Sequence, residues 1–292
     1  MTTTDFWSAH PPGLKWLDDQ GSDDLDRAGI ERIRAVRYAL EPHLEELAGF
    51  DAHAGERVVE IGCGIGTDGA RFAEDGADYT GVDFSPTAVR TATRAFQVLG
   101  LPGRFVRADA TRLPLATASA DFVWSNGALH HLPGTALAVQ EIRRVLRPGG
   151  RCAVMLYHRD SVNYRLNISV LRRAGAGLLL VPGGAALVSR VTGEPMATLE
   201  DHRALLREHG LRYLTDQRRW LASNTDGPGN ELSKVFSAGQ ARAMFTGFRE
   251  VRAEVRFLNL RILPGLDRVL SPRVKEQLAR RWGWHLYVMA TR

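Results

Sequence analysis

Short apolar runs alternate with amphipathic stretches between Arg57 and Tyr157. The pattern predicts strands near 57–61, 79–83, 104–108, 120–125 and 151–157, with helices near 67–75, 86–98 and 135–146. Because strand, crossover helix and strand follow one another repeatedly, we expect a doubly wound α/β sheet with parallel strands.

Helical segments flank this core. Apolar residues at helical spacing predict one or two helices over 25–50, interrupted near Pro42. After Tyr157, about ninety residues precede the next clear strand, which is too long for an ordinary loop and indicates a largely helical insertion. The remaining predicted elements are helices near 163–174, 185–190, 199–208 and 273–282, and strands near 249–258 and 285–291.

Composition narrows the class of protein. Of the 292 residues, 44% are hydrophobic and 24% are charged, as in ordinary soluble globular proteins. The net charge of +5 is spread without a run of basic residues, which favours a solvated surface over a nucleic-acid interface. The apolar run LLLVPGGAALV, Leu178 to Val188, is too short and too interrupted to span a bilayer.

Cys63 and Cys152 are the two cysteines, and they form neither a disulfide framework nor part of a metal-ligand cluster. The N-terminus, MTTTDFWSAHPPG, lacks a basic region followed by an apolar core, so we predict no signal peptide. A reducing cytoplasm fits both observations, and we expect no metal.

The segment VVEIGCGIGTDG places three glycines at a predicted strand-to-helix turn, where glycine lets the backbone approach a ligand. The GxGxG spacing of Gly62, Gly64 and Gly66 differs from the dinucleotide fingerprint GxGxxG, whose last glycine would replace Thr67. No GKS or GKT follows, so we expect a ligand that brings no phosphate to this loop. A tight turn without a ligand is the alternative.

Acidic residues follow the next two predicted strands. Asp83 in TGVDFSP ends the second strand, where a carboxylate can accept hydrogen bonds from both hydroxyls of a ribose. Asp109 in FVRADATRLPL follows the third strand, where a carboxylate can accept from an adenine amino group. The alternatives are a helix cap before Ser85 and Pro86 for Asp83, and a simple turn residue for Asp109.

These residues resemble the motifs of class I methyltransferases that depend on S-adenosylmethionine. VVEIGCGIG resembles that family's first motif, GVD its second, ADATRLP its third, DFVWSNGALHHL its fourth, and EIRRVLRPGG its post-motif helix and turn. The resemblance implies a Rossmann-like sheet of seven strands, S-adenosyl-L-methionine as cofactor and S-adenosyl-L-homocysteine as product. The flanking RYALEPHL, MLYHRDSVNY and TDGPGN resemble a narrower bacterial group of small-molecule methyltransferases.

The same resemblance suggests how the chain is organised. Trp7, His10 and Trp16 resemble a flap, and a surface-anchored tail is the alternative. The predicted parts are an N-terminal flap and helix over 1–50, a cofactor-binding core over 51–157, a cap inserted between the fifth and sixth strands over 158–247, and strands completing the sheet over 248–292.

The resemblance to this family also implies roles for single residues. Arg37 would reach the cofactor's carboxylate, Tyr38 would close over the cofactor, and Glu60 would orient the cofactor's amino group. Arg37 and Tyr38 are otherwise solvent-facing helix residues. The predicted cofactor-binding residues are Tyr38, Glu60, Gly62, Cys63, Gly64, Gly66, Asp83, Phe84, Asp109, Ala110, Asn126 and Gly127.

His130 and His131 follow the fourth predicted strand, at the edge where open α/β sheets bind ligands. His131 is the candidate base for a proton of the methyl acceptor, because imidazole titrates near neutral pH, and packing is the alternative. The polar, turn-forming stretch ASNTDGPGNELS is expected to face the acceptor, with an exposed linker as the alternative. The predicted acceptor-binding residues are His130, His131, Tyr157, Asn224, Asp226 and Asn230.

The sequence thus predicts a methyltransferase acting at oxygen, nitrogen or carbon of a small or medium organic molecule, with specialised metabolism as one setting. We expect no nucleic-acid partner, no membrane span, a monomer or homodimer, and a cytoplasmic location. The alternative is a non-catalytic protein that binds S-adenosylmethionine as a partner or regulator. Absence of an obvious base is no objection, because in-line positioning supplies much of the acceleration in methyl transfer.

Overall fold

The structure is a computed structural model that describes residues 3–9, 25–259 and 269–292, with the backbone alone for residues 3–5. His10 and Trp16 of the predicted flap lie outside the described residues. The chain divides into two compact units. The first comprises Met1–Leu156, Ala238–Glu254 and Tyr287–Arg292, and the second comprises Tyr157–Ser237 and Val255–Leu286.

One sheet forms the centre of the fold. Its strands are β1 (Arg57–Ile61), β2 (Asp78–Asp83), β3 (Arg104–Arg107), β4 (Ala120–Asn126), β5 (Leu146–His158), β6 (Val235–Phe236), β7 (Arg249–Arg256) and β8 (His285–Thr291). The order is β3-β2-β1-β4-β5-β8-β7, and β6 pairs with β5. Strands β1 to β5 pair in parallel, as the alternation of strand and helix predicts. The predicted doubly wound α/β class is confirmed.

The direction of winding reverses at β1, which lies between β2 and β4. Val59 of β1 is in register with Thr80 on one side and with Val123 on the other. Because parallel strands end at the same edge, Asp83 and Asn126 lie at the carboxyl edge of the sheet. Ligands bind at this switch point in open α/β sheets.

Helices connect the strands of the first unit, and local capping sets where two of them begin. The Asp26 carboxylate accepts a hydrogen bond from the Gly29 N–H at 2.7 Å at the start of the second helix. Ser85 Oγ accepts from the Ala88 N–H at the start of the fifth, and Pro86 supplies its preset φ at the first helical position. These helices are α1 (Thr3–Ala9), α2 (Arg27–Leu40), α3 (His43–Ala48), α4 (Thr67–Glu74), α5 (Pro86–Leu99) and α6 (Thr135–Val145).

The second unit is mainly helical. The Trp220 indole N–H donates to the carbonyl of Ile168 at 2.7 Å, and the Tyr213 ring packs edge-on against Trp220 in its core. No helix in the described part of the chain is long and apolar enough to cross a membrane. The unit's elements are a π-helix (Asn163–Leu171), α7 (Arg172–Leu178), α8 (Gly184–Thr192), α9 (Met196–His209), α10 (Leu211–Thr215) and α11 (Gln217–Thr225), and two later helices are α12 (Ala238–Met244) in the first unit and α13 (Pro272–Trp282) in the second.

Two features differ from the prediction. The sheet has eight strands rather than seven, because β6 adds a two-residue pairing to Tyr157 and His158 of β5. Two residues are too few for alternation of apolar and polar positions to reveal a strand. The helix predicted near 163–174 begins as a π-helix, whose hydrogen-bond pattern side-chain periodicity does not distinguish from an α-helix.

Candidate active site

A cavity opens at the carboxyl ends of β1, β2 and β4. It encloses about 1000 Å³ when the open solvent space at its mouth is included. All of its lining residues belong to the first unit. They are Trp7, Arg37, Glu60, Ile61, Gly62, Cys63, Gly64, Ile65, Thr67, Asp68, Val82, Asp83, Phe84, Ser85, Ala88, Ala108, Ala110, Asn126, Gly127, Ala128, Leu129, His131 and Leu132.

The glycine loop forms one wall of this cavity. Gly62 and Gly64 have φ of +75° and +53°, in the left-handed region that favours glycine. A Cβ on Gly62 would lie 2.2 Å from the Cβ of Ala128, so the loop after β1 approaches the segment after β4 closely. Gly66 does not line the cavity, because it begins α4 against Phe96 of α5.

Asp83 ends β2 and is 8% exposed. Its Oδ2 accepts from the Gly64 N–H at 3.0 Å, and its Oδ1 accepts from the Ser85 N–H at 2.9 Å. Burial raises the pKa of Asp83, while these backbone hydrogen bonds act in the opposite direction. Ser85 is the residue that caps α5. Each Asp83 oxygen keeps capacity for a further donor such as a ribose hydroxyl.

Glu60 lines the cavity from β1 and is 4% exposed. Its Oε2 accepts a 2.6 Å hydrogen bond from the Tyr79 hydroxyl. Tyr79 reaches this position because Gly69 has no side chain: a Cβ there would lie 2.3 Å from the hydroxyl oxygen. Burial and the nearby charge of Asp68 raise the pKa of Glu60 well above its usual range. A cationic ligand group beside Glu60 would favour its carboxylate form.

Asp68, in the first turn of α4, is a cavity residue that the sequence analysis missed. It is 2% exposed, and Arg37 of α2 donates to it in bidentate fashion, with both nitrogen–oxygen distances at 2.7 Å. The Trp124 indole donates to Asp68 at 3.1 Å and the Tyr38 hydroxyl at 3.2 Å. Burial raises the pKa of Asp68, but the charge and hydrogen bonds of Arg37 outweigh burial and leave that pKa lowered.

This pairing fixes the positions of two predicted residues. Arg37 lines the cavity with Nε and Nη2 turned to Asp68, and in the described part of the chain Nη1 has no acceptor. Tyr38 lies outside the cavity lining, with its hydroxyl on Asp68 and 3.5 Å from the Thr67 carbonyl oxygen. An acid in the first turn after a glycine loop was the available signal for Asp68. Its partner depends on how α2 packs, which the sequence does not display.

The residues that follow β3 and β4 differ in whether they line the cavity. Asp109 is exposed, and its Oδ1 accepts from both the N–H and the hydroxyl of Thr111 at 2.8 Å, while its neighbour Ala110 lines the cavity. Asn126 and Gly127 line the cavity after β4. The Asn126 Oδ1 accepts from the Tyr287 hydroxyl at 3.0 Å. Of the predicted cofactor residues, all except Tyr38, Gly66 and Asp109 therefore line one cavity.

The two adjacent histidines occupy different environments. His131 lines the cavity, whereas His130 is fully buried and is not a lining residue. The Trp7 ring of α1 also lines the cavity, with its centroid 4.8 Å from that of His131. Ser8 Oγ lies 3.1 Å from Ser85 Oγ, which joins α1 to the start of α5. The N-terminal helix thus forms part of the cavity wall.

The other predicted acceptor-binding residues lie in the second unit. The Tyr157 hydroxyl donates to Asp226 Oδ1 at 2.9 Å, and Asn230 Nδ2 lies 3.4 Å from Asp226 Oδ2 and 2.9 Å from Ser233 Oγ. Asn224 is separate, because its Nδ2 donates to the Trp220 carbonyl at 2.9 Å. Asn224 and Asn230 are 6% and 4% exposed. The polar stretch is therefore a packed, hydrogen-bonded turn.

The fold and cavity define an α/β protein with a ligand-sized cavity at the switch point of its sheet. Asp83 is buried in its wall, the glycine loop exposes its backbone to it, and Arg37 and Glu60 line it as well. Residues 59–154 match the family model described as a methyltransferase domain. The chain belongs to the class I methyltransferases, whose cofactor is S-adenosylmethionine.

Two curated relatives are similar to the chain over part of their length. It is 31% identical to O-methyltransferase resE of Aspergillus sclerotiorum over 202 residues, covering 68% of this chain and 67% of that one. It is 36% identical to Methyltransferase GfsG of Streptomyces halstedii over 142 residues, covering 48% of each. The chain spans about half the length of the curated relatives it matches.

A solved structure with a similar fold is the [4+2]-cyclase SpnF. It aligns with a TM-score of 0.52 at 14% identity, covering 99% of this chain and 94% of that one. This likeness concerns the fold alone. Because one fold hosts different reactions, the reaction must be argued from the cavity.

Proposed function

We propose that the protein transfers the methyl group of S-adenosylmethionine to oxygen, nitrogen or carbon of a small or medium organic molecule. The observation that carries the proposal is the cavity at the carboxyl ends of β1, β2 and β4. There, an N–H of the glycine loop holds the buried Asp83 carboxylate, and Asn126 and His131 line the same space. Membership of the methyltransferase family supports the same reaction class.

Three charged side chains are assigned to hold the cofactor. The Asp83 oxygens accept from the ribose hydroxyls while the Gly64 and Ser85 N–H groups keep the carboxylate in place. Arg37 uses Nε and Nη2 for Asp68, so we assign its Nη1 to the cofactor's carboxylate. Glu60 accepts from the cofactor's ammonium group through the oxygen that Tyr79 does not bind.

The transfer step needs orientation more than covalent help. When bound, the cofactor supplies a methyl group on a sulfonium, which is a good leaving group. The residues after β4 hold the reacting groups in line, and positioning of this kind contributes roughly 7–11 kcal/mol in favourable intramolecular cases. His131 accepts the acceptor's proton when that proton leaves during the transfer.

The cavity wall suggests an acceptor with apolar character. Trp7, Leu129 and Leu132 present an aromatic ring and two aliphatic side chains beside His131. An apolar wall with a few polar groups is typical of sites for small organic ligands. Acceptor binding by Tyr157, Asp226 and Asn230 stays a prediction.

Incubation with methyl-labelled S-adenosylmethionine tests the proposal. The acceptor panel contains phenols, carboxylic acids, amines and activated carbon acids, together with a cell extract. We expect label in a product one methyl group heavier than its acceptor, with loss of that product in Asp83→Ala. Glu276→Gln, on the exposed face of α13, is the control and should behave like wild type. Binding of S-adenosylhomocysteine without label in any acceptor would favour the non-catalytic alternative and overturn the proposal.

A further inference from the structure

Exposed aliphatic side chains are concentrated in one helical hairpin of the second unit. Eight of the sixteen exposed large hydrophobic side chains in the described part of the chain lie between Leu166 and Val191, and five of these eight lie in the hairpin. The hairpin consists of α7, the turn 179–183 and α8. Its exposed aliphatic residues are Leu178, Leu180, Val181, Leu187 and Val191.

The turn of this hairpin holds its aliphatic side chains outward. Leu179 is 2% exposed, whereas Leu178, Leu180 and Val181 are 44%, 58% and 53% exposed. The Leu179 carbonyl accepts from Arg203 Nε at 2.7 Å, which ties the turn to α9. We call Leu178, Leu180 and Val181 the hairpin tip. The buried Leu179 and its contact with Arg203 thus hold the turn while the hairpin tip faces outward.

Gly184 allows the chain to turn back this tightly. A Cβ at Gly184 would lie 1.8 Å from the Leu178 carbonyl oxygen, so only glycine fits at the start of α8. The Val181 N–H donates to the same carbonyl at 3.1 Å. The aliphatic residues of the hairpin tip are thus brought close together by backbone geometry.

Basic residues accompany the exposed aliphatic residues. Residues 161–192 contain four arginines and neither Asp nor Glu, but Arg165 pairs with Asp160 just before this stretch. Arg190 is exposed on α8, one position before Val191 and three after Leu187, so these three side chains share a face of the helix. Among the described residues, no acidic side chain pairs with Arg190. Arg172 pairs with Glu194, which lies just beyond α8.

We propose that this hairpin docks on an anionic lipid surface. The hairpin tip would enter the boundary between headgroups and acyl chains, and Arg190 would contact lipid phosphates. Exposed aliphatic residues combined with arginines and without acids are typical of segments that lie in the membrane interface. This surface is separate from methyl transfer, because no hairpin residue lines the cavity.

Charge favours a lipid surface over a second copy of the chain. A symmetric contact through the exposed face of α8 would bring Arg190 of two copies together, and α7 and α8 contain no acidic side chain to pair with it. Like charges placed together disfavour such a contact. Anionic lipid phosphates supply the opposite charge.

Vesicle co-sedimentation of the full chain tests the proposal. The vesicles contain phosphatidylcholine alone or phosphatidylcholine with phosphatidylglycerol, and neither provides a methyl acceptor. We expect wild-type binding to the anionic vesicles, weakened at least about tenfold in the double variant Leu180→Ser/Val181→Ser. Arg190→Gln should weaken binding to the anionic vesicles and leave binding to neutral ones unchanged. Leu137→Ser on α6 is the matched control, because Leu137 is 54% exposed but lies in the first unit.

Three outcomes would overturn the proposal. The first is a wild type that binds neither kind of vesicle, and the second is a double variant that binds like wild type while Leu137→Ser also does. The third is a wild-type dimer, seen by analytical ultracentrifugation, that dissociates in the double variant. That result would assign the hairpin to a contact between copies. Because every substituted side chain is solvent-exposed, matching circular dichroism melts should show that each variant folds.

Discussion

Neighbours set the charge of the carboxyl groups around the cavity. Asp68 keeps its charge because Arg37 is bound to both of its oxygens. Among the described residues, the Tyr79 hydroxyl is the one hydrogen-bond partner of the Glu60 carboxylate, and burial and the charge of Asp68 raise the pKa of Glu60. Burial also raises the pKa of Asp83, but hydrogen bonds from two backbone N–H groups offset part of this effect. The cavity therefore contains one fixed anion and two groups whose charge responds to a ligand.

The role of His131 is testable by kinetics. We expect His131→Ala to lower kcat by about 10²–10⁴, the usual contribution of a general base, with little change in affinity for S-adenosylhomocysteine. The pH profile of kcat should also differ between wild type and the variant. Steady-state kinetics across pH, with calorimetry for the cofactor product, measures both. Equal kinetics and pH profiles would leave His131 a packing residue.

The sequence could predict Asp83 and the loop glycines because strand ends in a parallel sheet share one edge. Any carboxylate or glycine turn at two such ends must lie close to the same ligand. The bidentate pair of Asp68 with Arg37 could not be predicted, because it depends on how α2 packs against α4. The contact between Tyr79 and Glu60 likewise depends on the space that Gly69 leaves.

One glycine of the loop after β1 and one glycine after α5 form a matched pair of substitutions. Gly62 and Gly100 both have positive φ, +75° and +72°, but a Cβ at Gly100 meets nothing within 4 Å. Alanine at either position costs about 1–2 kcal/mol in the left-handed region. Gly62→Ala adds the contact with Ala128, for which overpacking costs about 1–3 kcal/mol more.

Urea unfolding and calorimetry with S-adenosylhomocysteine measure this difference. We expect Gly62→Ala to lose more stability than Gly100→Ala and also to bind the cofactor product more weakly. Equal losses of stability, with unchanged binding in Gly62→Ala, would show that the close approach to Ala128 does not matter.

The polar turn after α11 is predicted to affect the acceptor rather than the cofactor. Asp226→Ala should raise the acceptor KM severalfold and leave cofactor affinity nearly unchanged. Tyr157→Phe removes the hydroxyl that donates to Asp226 Oδ1, so its effect should not add to that of Asp226→Ala in a double-mutant cycle. Wild-type behaviour of both Asp226→Ala and Asn224→Ala toward the true acceptor would make this turn a structural linker.

Elements with long, regular patterns were predictable, and short or irregular ones were not. The predicted strand over 57–61 coincides with β1, because its apolar run is bounded by a charged residue and by glycine. Strand β5 begins at Leu146, before Pro148 and Gly149, which local patterns assign to a turn. Leu146 pairs with Ala120 of β4 and the Gly149 N–H donates to the Arg292 carbonyl, so β5 continues through an irregular stretch before Arg151 pairs with Phe122. No local pattern reports such pairing.

At the scale of the whole molecule, we expect the stability of the second unit to depend on pH. His202 Nδ1 lies 2.6 Å from the Tyr213 hydroxyl, and burial, with a smaller effect of Arg172, lowers the pKa of His202 to about 4. An unfolded histidine titrates near 6.5, so unfolding takes up a proton between about pH 4 and 6.5. The free energy of unfolding should therefore fall as pH decreases through this range, by up to about 3 kcal/mol.

Hydrogen exchange of the α9 and α10 amides, corrected for the intrinsic pH dependence, checks this expectation. Protection should decrease from pH 7 to pH 4.5 in wild type and change less in His202→Gln. His209→Gln is the control, because His209 lies on α9 and is partly exposed beside Glu208. A pH dependence that is identical in wild type and His202→Gln would assign the effect to other groups.

The division of the chain into two units could not be predicted from sequence patterns. The second unit combines Tyr157–Ser237 with Val255–Leu286, which come from either side of α12 and most of β7. Periodicity identifies the elements in each stretch, but the grouping depends on packing between segments distant in sequence. The predicted insertion over 158–247 is accordingly shared, with residues 158–237 in the second unit and 238–247 in the first.

The central claim is that Asp83, held by the glycine loop, binds the ribose of S-adenosylmethionine. Calorimetric titration of wild type and Asp83→Ala with S-adenosylhomocysteine tests it most directly. Removing two charge-assisted hydrogen bonds, each worth roughly 1.5–3 kcal/mol, should weaken binding at least about tenfold even after water replaces part of the interaction. Unchanged affinity in a folded Asp83→Ala protein, or no binding by wild type, would contradict the claim.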